Sequence, residues 1–356
     1  MAISHTVQVK RRLVLKLALG LEKSPPFGYA NTERLLLLRE PALVAIGSEL
    51  ERRANMSENA KPKSRTLART APMHGVRCKN PECGEGVPSH YRSCPVCCFD
   101  AGFPNVRAAS TSSEKEALTA RYDLARTAAT SSQTEAKLDA LQQACSKSAA
   151  VLCRPIGKVH ELVQSDNELY ASFYQLVEAW SRIPEDNEWD KVRSPVDSLF
   201  FPFYYDEIRF AALSLNGQGA DGYGGLSMVL QDKAIKARAT AFEENTIVFC
   251  NRHKVLATGP IPPGYRSTWE ERGMLACAKL QSRIDPNTKE EDFPSIILPP
   301  TESTTADFIE VHIYGPIHRR AVAKVTGKKP KRQADKVLLQ SIKTKFKEIN
   351  VPVEMI

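Results

Sequence analysis

The sequence predicts an α+β protein with a small cysteine-rich module, a helical middle region and a C-terminal split β-sheet domain. Three observations carry this. Four cysteines fall into two close pairs between positions 78 and 97, apolar residues repeat at helical spacing from about 110 to 181, and from Asp197 the chain turns to β-branched and aromatic runs broken by glycine and proline. The predicted division is 1–71, a basic N-terminal region with linker; 72–107, the cysteine module; 108–196, helical; and 197–356, an α+β domain closing on a basic helix.

In the N-terminal region, apolar runs at Leu13–Leu21 and Leu35–Leu38 and a helical pattern at Pro41–Arg53 precede a polar linker, Asn55–Thr70. Lys16 interrupts the first run and Pro25-Pro26 follows it, so it is too short to span a membrane. No small-residue cleavage site comes after it, which argues against a signal peptide and for the cytoplasm.

Cys78-x4-Cys83 and, ten residues on, Cys94-x2-Cys97 have the spacing of two knuckles that together present four thiolates to one tetrahedral ion. Pro81 and Gly84 bend the first knuckle and Pro95 starts the second. This predicts a structural zinc ribbon, with Cys98, His74 or His90 as alternative ligands. A closed site of four thiolates leaves zinc no open position for catalysis. The other cysteines of the nine are scattered singly and are expected to be reduced.

Past the ribbon, Leu118, Tyr122, Ala125 and Ala129 repeat at helical spacing after Ser110–Ser113 with Glu116 as capping partner; Leu138, Leu141 and Cys145 repeat likewise. A third helix is expected over Asn167–Ser181, with Leu169, Phe173, Leu176 and Trp180 as a core stripe. Strands are expected at Ile208–Leu215, Leu226–Leu230, Thr246–Cys250 and Phe308–Tyr314, and helices from Thr268 to about Ile284 and over Gln333–Ile349, with a short run at Val351–Ile356. Gly217–Gly225 reads as a loop joining two strands.

The net charge of +8 is unevenly placed: eleven Lys and Arg against one acid between Arg319 and Lys347, thirteen against six up to Pro72, and an acidic middle. Basic ends of this kind suit phosphate backbones, so nucleic acid or a nucleic-acid-bound protein is the expected partner, and no membrane.

No P-loop, Gly-x-Ser-x-Gly, His-Glu-x-x-His or Rossmann fingerprint occurs. The remaining polar candidates are Arg209, the Arg238-Ala239-Thr240 element and Glu310. Tyr223-Gly224-Gly225-Leu226-Ser227-Met228-Val229-Leu230, followed by Arg238-Ala239-Thr240, and the later Ile309-Glu310-Val311-His312-Ile313-Tyr314 resemble segments of bacterial NAD-dependent ADP-ribosyltransferase-like toxin domains. The resemblance covers roughly Tyr205 to Val325. It implies a split sheet of ADP-ribosyltransferase type, NAD as co-substrate, a toxin or defence role and an inhibitor protein as a further partner. It further implies Glu310 as the catalytic carboxylate, Arg209 as the NAD-binding arginine, Thr240 (or Ser227) as the structural hydroxyl, and Tyr223, Gly224, Arg238 and His312 at the NAD site. Phe308 occupies the position two before Glu310, where arginine-modifying members carry a polar residue, which argues against protein arginine as acceptor. Hydrolysis of NAD without transfer would use the same site. The alternative is a zinc-ribbon nucleic-acid-binding or scaffold protein without catalysis.

Overall fold

The computed structural model describes residues 75–180, 188–255, 259–300 and 307–355. The expectations for the N-terminal region and for His74 lie outside them. The chain divides into units 1–70 and 71–356, and the second holds every described residue. No described helix is long and apolar enough to cross a membrane.

The ribbon opens with two short antiparallel strands, β1 (Val76–Arg77) and β2 (Gly86–Val87). Helix α1 (Pro104–Ala109) follows, with proline in its first turn where no backbone donor is needed. From it Arg107 donates back to the carbonyls of Ser89 and Tyr91, 2.7 Å each. Asn105, on the same helix, donates to the carbonyls of Arg238 and His312 at 3.0 and 3.2 Å.

Next come α2 (Ser112–Ser131) and α3 (Glu135–Ser146), which bury Leu118, Ala125 and Ala129, and Leu138, Leu141 and Cys145, as their spacing predicts. Thr111 caps α2 by accepting from Glu114 N at 3.4 Å. The expected partner Glu116 takes no part, and the Glu114 carboxylate instead holds Gly264 N and Arg266, each at 2.7 Å.

A strand the sequence reading missed, β3 (Ala149–Arg154), precedes α4 (Ile156–Val163). Where one helix was expected over 167–181 the structure has β4 (Leu169–Tyr170) and α5 (Phe173–Glu178). Tyr170 pairs with Ile317, and a capping box between Ser172 and Gln175 starts the helix afresh. The stripe is not core: Trp180 is 90% exposed and no residue of α5 is buried.

The remainder alternates α6 (Glu188–Phe200), β5 (Ile208–Ser214), β6 (Leu226–Leu230), α7 (Asp232–Ile235), β7 (Ala239–Phe242), α8 (Thr246–Arg252), β8 (Arg266–Thr268), α9 (Arg272–Leu280) and α10 (Phe293–Ile297). The chain ends with β9 (Glu310–Tyr314), β10 (Ile317–His318), β11 (Val322–Gly327), α11 (Gln333–Lys347) and β12 (Val353–Met355). The strand expected over Thr246–Cys250 is helix α8. Its β-branched run is overridden because Asn245 Oδ1 accepts from Ile247 N and Val248 N at 3.0 and 3.4 Å. Thr268, expected to start a helix, instead ends β8, and the helix begins at Arg272.

Eight strands form one sheet in the order β12-β11-β6-β3-β5-β9-β7-β8, antiparallel throughout except for β11 with β12. The regions 108–196 and 197–356 were expected to be separate parts, but β3 from the first sits between β5 and β6 from the second, so they share a core. Alternation gives the sheet two covered faces. Ala150, Leu152, Leu213, Met228, Val311 and Ile313 pack against the helices of one, whereas Ile208 and Phe242 of the other meet Phe200, Phe201, Tyr204 and Phe249 around α6 and α8.

Candidate functional site

The four sulfurs of Cys78, Cys83, Cys94 and Cys97 lie within 4.8 Å of one another and could hold a metal ion. Cys78 and Cys97 are 3.5 Å apart and Cys83 and Cys94 3.8 Å, close to the edge of about 3.8 Å of a tetrahedron with roughly 2.3 Å metal–sulfur bonds. Each pair rests on a turn: Cys83 N donates to Asn80 O at 3.0 Å, and Cys98 N to Cys94 O at 2.9 Å. Gly84, at φ +63°, continues the first turn in the left-handed region where glycine carries no penalty. Cys98 is exposed and His90 packs on Tyr91 and Phe203; neither belongs to the cluster.

A second site lies on the α6/α8 face of the sheet. There a cavity of about 650 Å³ is lined by Arg154, Lys158, Tyr170, Phe173, Arg193 and Tyr223 among others, with Asn245, Thr246 and Glu310 also contributing. Glu310 opens β9 between Ala212 of β5 and Phe242 of β7 and is buried. Its carboxylate accepts from Asn245 Nδ2 at 3.2 Å and Thr246 N at 3.4 Å, and stands 3.0 Å from His312 Nε2. Rings of Phe201, Phe210 and Phe242 enclose the imidazole, at centroid distances of 4.9, 5.3 and 5.6 Å. The arrangement is a buried carboxylate fixed by donors on one side and contributing to the cavity lining on the other. Such a group can stabilise a developing positive charge or take a proton from a nucleophile.

The other sequence candidates are placed differently. Arg209 pairs with Ile313 while Glu310 pairs with Ala212, so the pleat starts their side chains from opposite faces. The Arg209 guanidinium is buried and committed: Nε donates to Tyr170 O at 3.3 Å, Nη1 to Asp206 O at 3.3 Å, and Nη2 to Gln175 Oε1 at 2.5 Å. It ties β4 and α5 to the start of β5. Thr240 shares the face of Glu310 and lies opposite His312, whose carbonyl its hydroxyl meets at 3.5 Å. Arg238 clamps the end of β9, donating to Tyr314 O at 2.6 Å and Pro316 O at 3.0 Å. At Gly224, φ is +144° and a Cβ would stand 2.0 Å from the Arg154 carbonyl carbon, so only glycine lets this turn close on β3. That turn holds Tyr223 in the cavity wall against Phe308, at a ring distance of 6.4 Å. Burial pushes the Tyr223 phenol up to about 12. The structure therefore brings Glu310, Tyr223 and Arg209 to the lining of one cavity, the Arg209 guanidinium being committed to groups of its own chain; it sets His312 and Thr240 beside Glu310 on the same face of the sheet, and uses Arg238 as a brace.

Sequence reasoning missed Arg154, Arg193, Asn245 and Asp197. Arg154 donates to the Tyr170 hydroxyl and to Cys153 O, with its guanidinium 5.0 Å from the Tyr170 ring. Arg193 lies 5.2 Å from the Phe173 ring, and its buried Nε has no hydrogen-bond partner among the described residues. Asp197, on the same helix, is buried and accepts from Tyr174 OH at 2.8 Å. Burial pushes its carboxyl up to about 7, opposed by Arg193 and by the Tyr174 hydrogen bond and reinforced by the charge of Glu310. An Asx residue just before an apolar run was the available signal for Asn245; the others had none, since long-range packing alone assembles them.

Compared with known proteins, the chain matches no family model, and no curated protein is detectably similar to it in sequence.

Proposed function

We propose that the protein is an enzyme that cleaves NAD at the nicotinamide–ribose bond and transfers ADP-ribose to a macromolecule. One observation carries this reading: the Glu310 carboxylate, held by Asn245, Thr246 and His312, faces a cavity of about 650 Å³. That volume lies within the roughly 300–1,000 Å³ of small-molecule sites. The lining suits a dinucleotide, with aromatic rings at Tyr170, Phe173 and Tyr223 for bases and Arg154, Lys158 and Arg193 for a pyrophosphate. In this reading Arg193, with its free buried donor, takes the anion-binding role that the resemblance gave to Arg209.

The C1′–N bond breaks with its electron pair going to the nicotinamide nitrogen, leaving an oxocarbenium-like ribose. Glu310 stabilises that charge, then accepts the proton of the attacking group as the new C1′ bond forms, and releases it to solvent. Asn245 and His312 keep the carboxylate in one orientation through both steps. The ribbon's ion is zinc in this reading, since four thiolates in tetrahedral array are its commonest closed site. It has a structural role, and thiolate ligands suit the reducing cytoplasm. The toxin or defence role and the inhibitor protein rest on the sequence resemblance alone.

The test is nicotinamide release from NAD by the full chain and by Glu310→Gln, with DNA, RNA and cell lysate as acceptors. Release that drops at least about a hundredfold in the variant is expected. Absence of release with every acceptor, from folded and metal-loaded protein, would leave the non-catalytic binding module as the better reading.

A further inference from the structure

We propose that α11 and the segment before it form the docking surface for a single-stranded nucleic acid, which is the acceptor of the transfer reaction; this rests on the function proposed above. Between Lys328 and Lys347 there are eight Lys and Arg against one acid, Asp335. Helix α11 buries Leu339, Ile342 and Phe346. Lys336, Gln340, Lys343 and Lys347 follow one another at spacings of four, three and four, so they form a single stripe about 90° around the helix from that buried face. The stripe runs about 16 Å at 1.5 Å per residue. Lys336 and Lys347 are exposed at its ends, and Lys328, Lys329, Lys331 and Arg332 extend it towards the sheet, all exposed.

One contact joins this surface to the cavity: Lys328 Nζ lies 3.3 Å from Asp221 Oδ2, at the head of the turn that carries Gly222 and Tyr223 in the cavity wall. Lys328 to Arg332 thus lead from the cavity rim to the helix, where a sugar–phosphate backbone would be neutralised. A single strand fits better than a duplex, because a base must leave the stack to bring a reacting atom near Glu310. An acidic protein surface would meet the same charges, but it needs no continuous stripe leading to a cavity.

The experiment is binding of labelled single-stranded DNA and RNA of about 20 nucleotides to the full chain by anisotropy, from about 50 to 200 mM salt. The chains compared are the natural one, a Lys336→Gln/Lys343→Gln/Lys347→Gln variant, and a charge-matched control, Lys115→Gln/Lys147→Gln/Lys289→Gln. The stripe variant should bind about tenfold or more weakly, with a salt slope lower by about two, while the control binds as the natural chain does. Preference between the DNA and RNA arms identifies the acceptor, and equal binding means that only the shared backbone is read. No binding at low salt, equal loss in the control, an unaffected stripe variant or a preference for duplex would each overturn the proposal. Binding without nicotinamide release would overturn the NAD reading and leave this surface standing; release without binding would do the reverse.

Discussion

His312 Nε2 lies 3.0 Å from Glu310 Oε2, both side chains on one face of β9 and both buried. The imidazole is wedged among three phenylalanine rings, so it can move only if they do. His312→Ala would open a hole there and cost about 2–4 kcal/mol in urea unfolding. His312→Gln, which keeps a nitrogen donor towards the carboxylate, should recover part of that loss and retain more nicotinamide release than the alanine variant.

Arg209 and Arg193 should separate stability from binding. Arg209→Ala strips the buried partners of Tyr170 O, Asp206 O and Gln175, and is expected to cost about 3 kcal/mol or more in denaturant unfolding. Arg193→Met keeps the stem over Phe173 and should raise KM for NAD about tenfold with little change in Tm. The opposite pattern would return the anion-binding role to Arg209.

The Asp197 carboxyl sits at about 7 in the folded chain against 3.8 in a free side chain. The folded state therefore holds a proton that the unfolded state has already released. The resulting stability is fully present below about pH 4 and is lost as pH rises through 7. Urea midpoints should thus be higher at pH 5.5 than at pH 8.5 by an amount worth on the order of a few kcal/mol. Asp197→Asn should flatten that difference and raise the midpoint at pH 8.5.

Metal content is the fourth expectation. The natural chain should carry one ion, measured by elemental analysis, and Cys83→Ser should carry close to none, whereas Cys98→Ser should match the natural chain. Chelation at neutral pH should unfold the ribbon, because turns this short have no core of their own.

Local patterns made some elements readable. The ribbon ligands, α2, α3, α11 and the strands around Arg209, Met228 and Val311 follow from spacing and alternation. Helix α8 was hidden because Thr246-Ile247-Val248 has strand propensity and only the Asn245 cap reverses it. Strand β3 was hidden because Ala149–Arg154 is short and follows a helix without a strong break; its place between β5 and β6 is set by partners more than fifty residues away. The juxtaposition of Glu310 and His312 was legible, since strand alternation alone puts them on one face. The partners of Arg209 were not legible, because a single arginine on a strand reads the same whatever it meets, and here it meets Tyr170, Asp206 and Gln175 while also lining the cavity.

Asn105 spans the carbonyls of Arg238 and His312, while Arg107, two residues on, grips the ribbon. The ribbon is thereby geared to the strand that bears Glu310 through a helix of six residues. Thermodynamic reciprocity attaches a condition to such gearing. Whatever amount the bound ion adds to the grip of β9 on a ligand, the ligand must return in equal measure as a tighter hold on the ion. Were that amount other than zero, an ion on the four cysteines and a ligand in the cavity would each change the hold on the other.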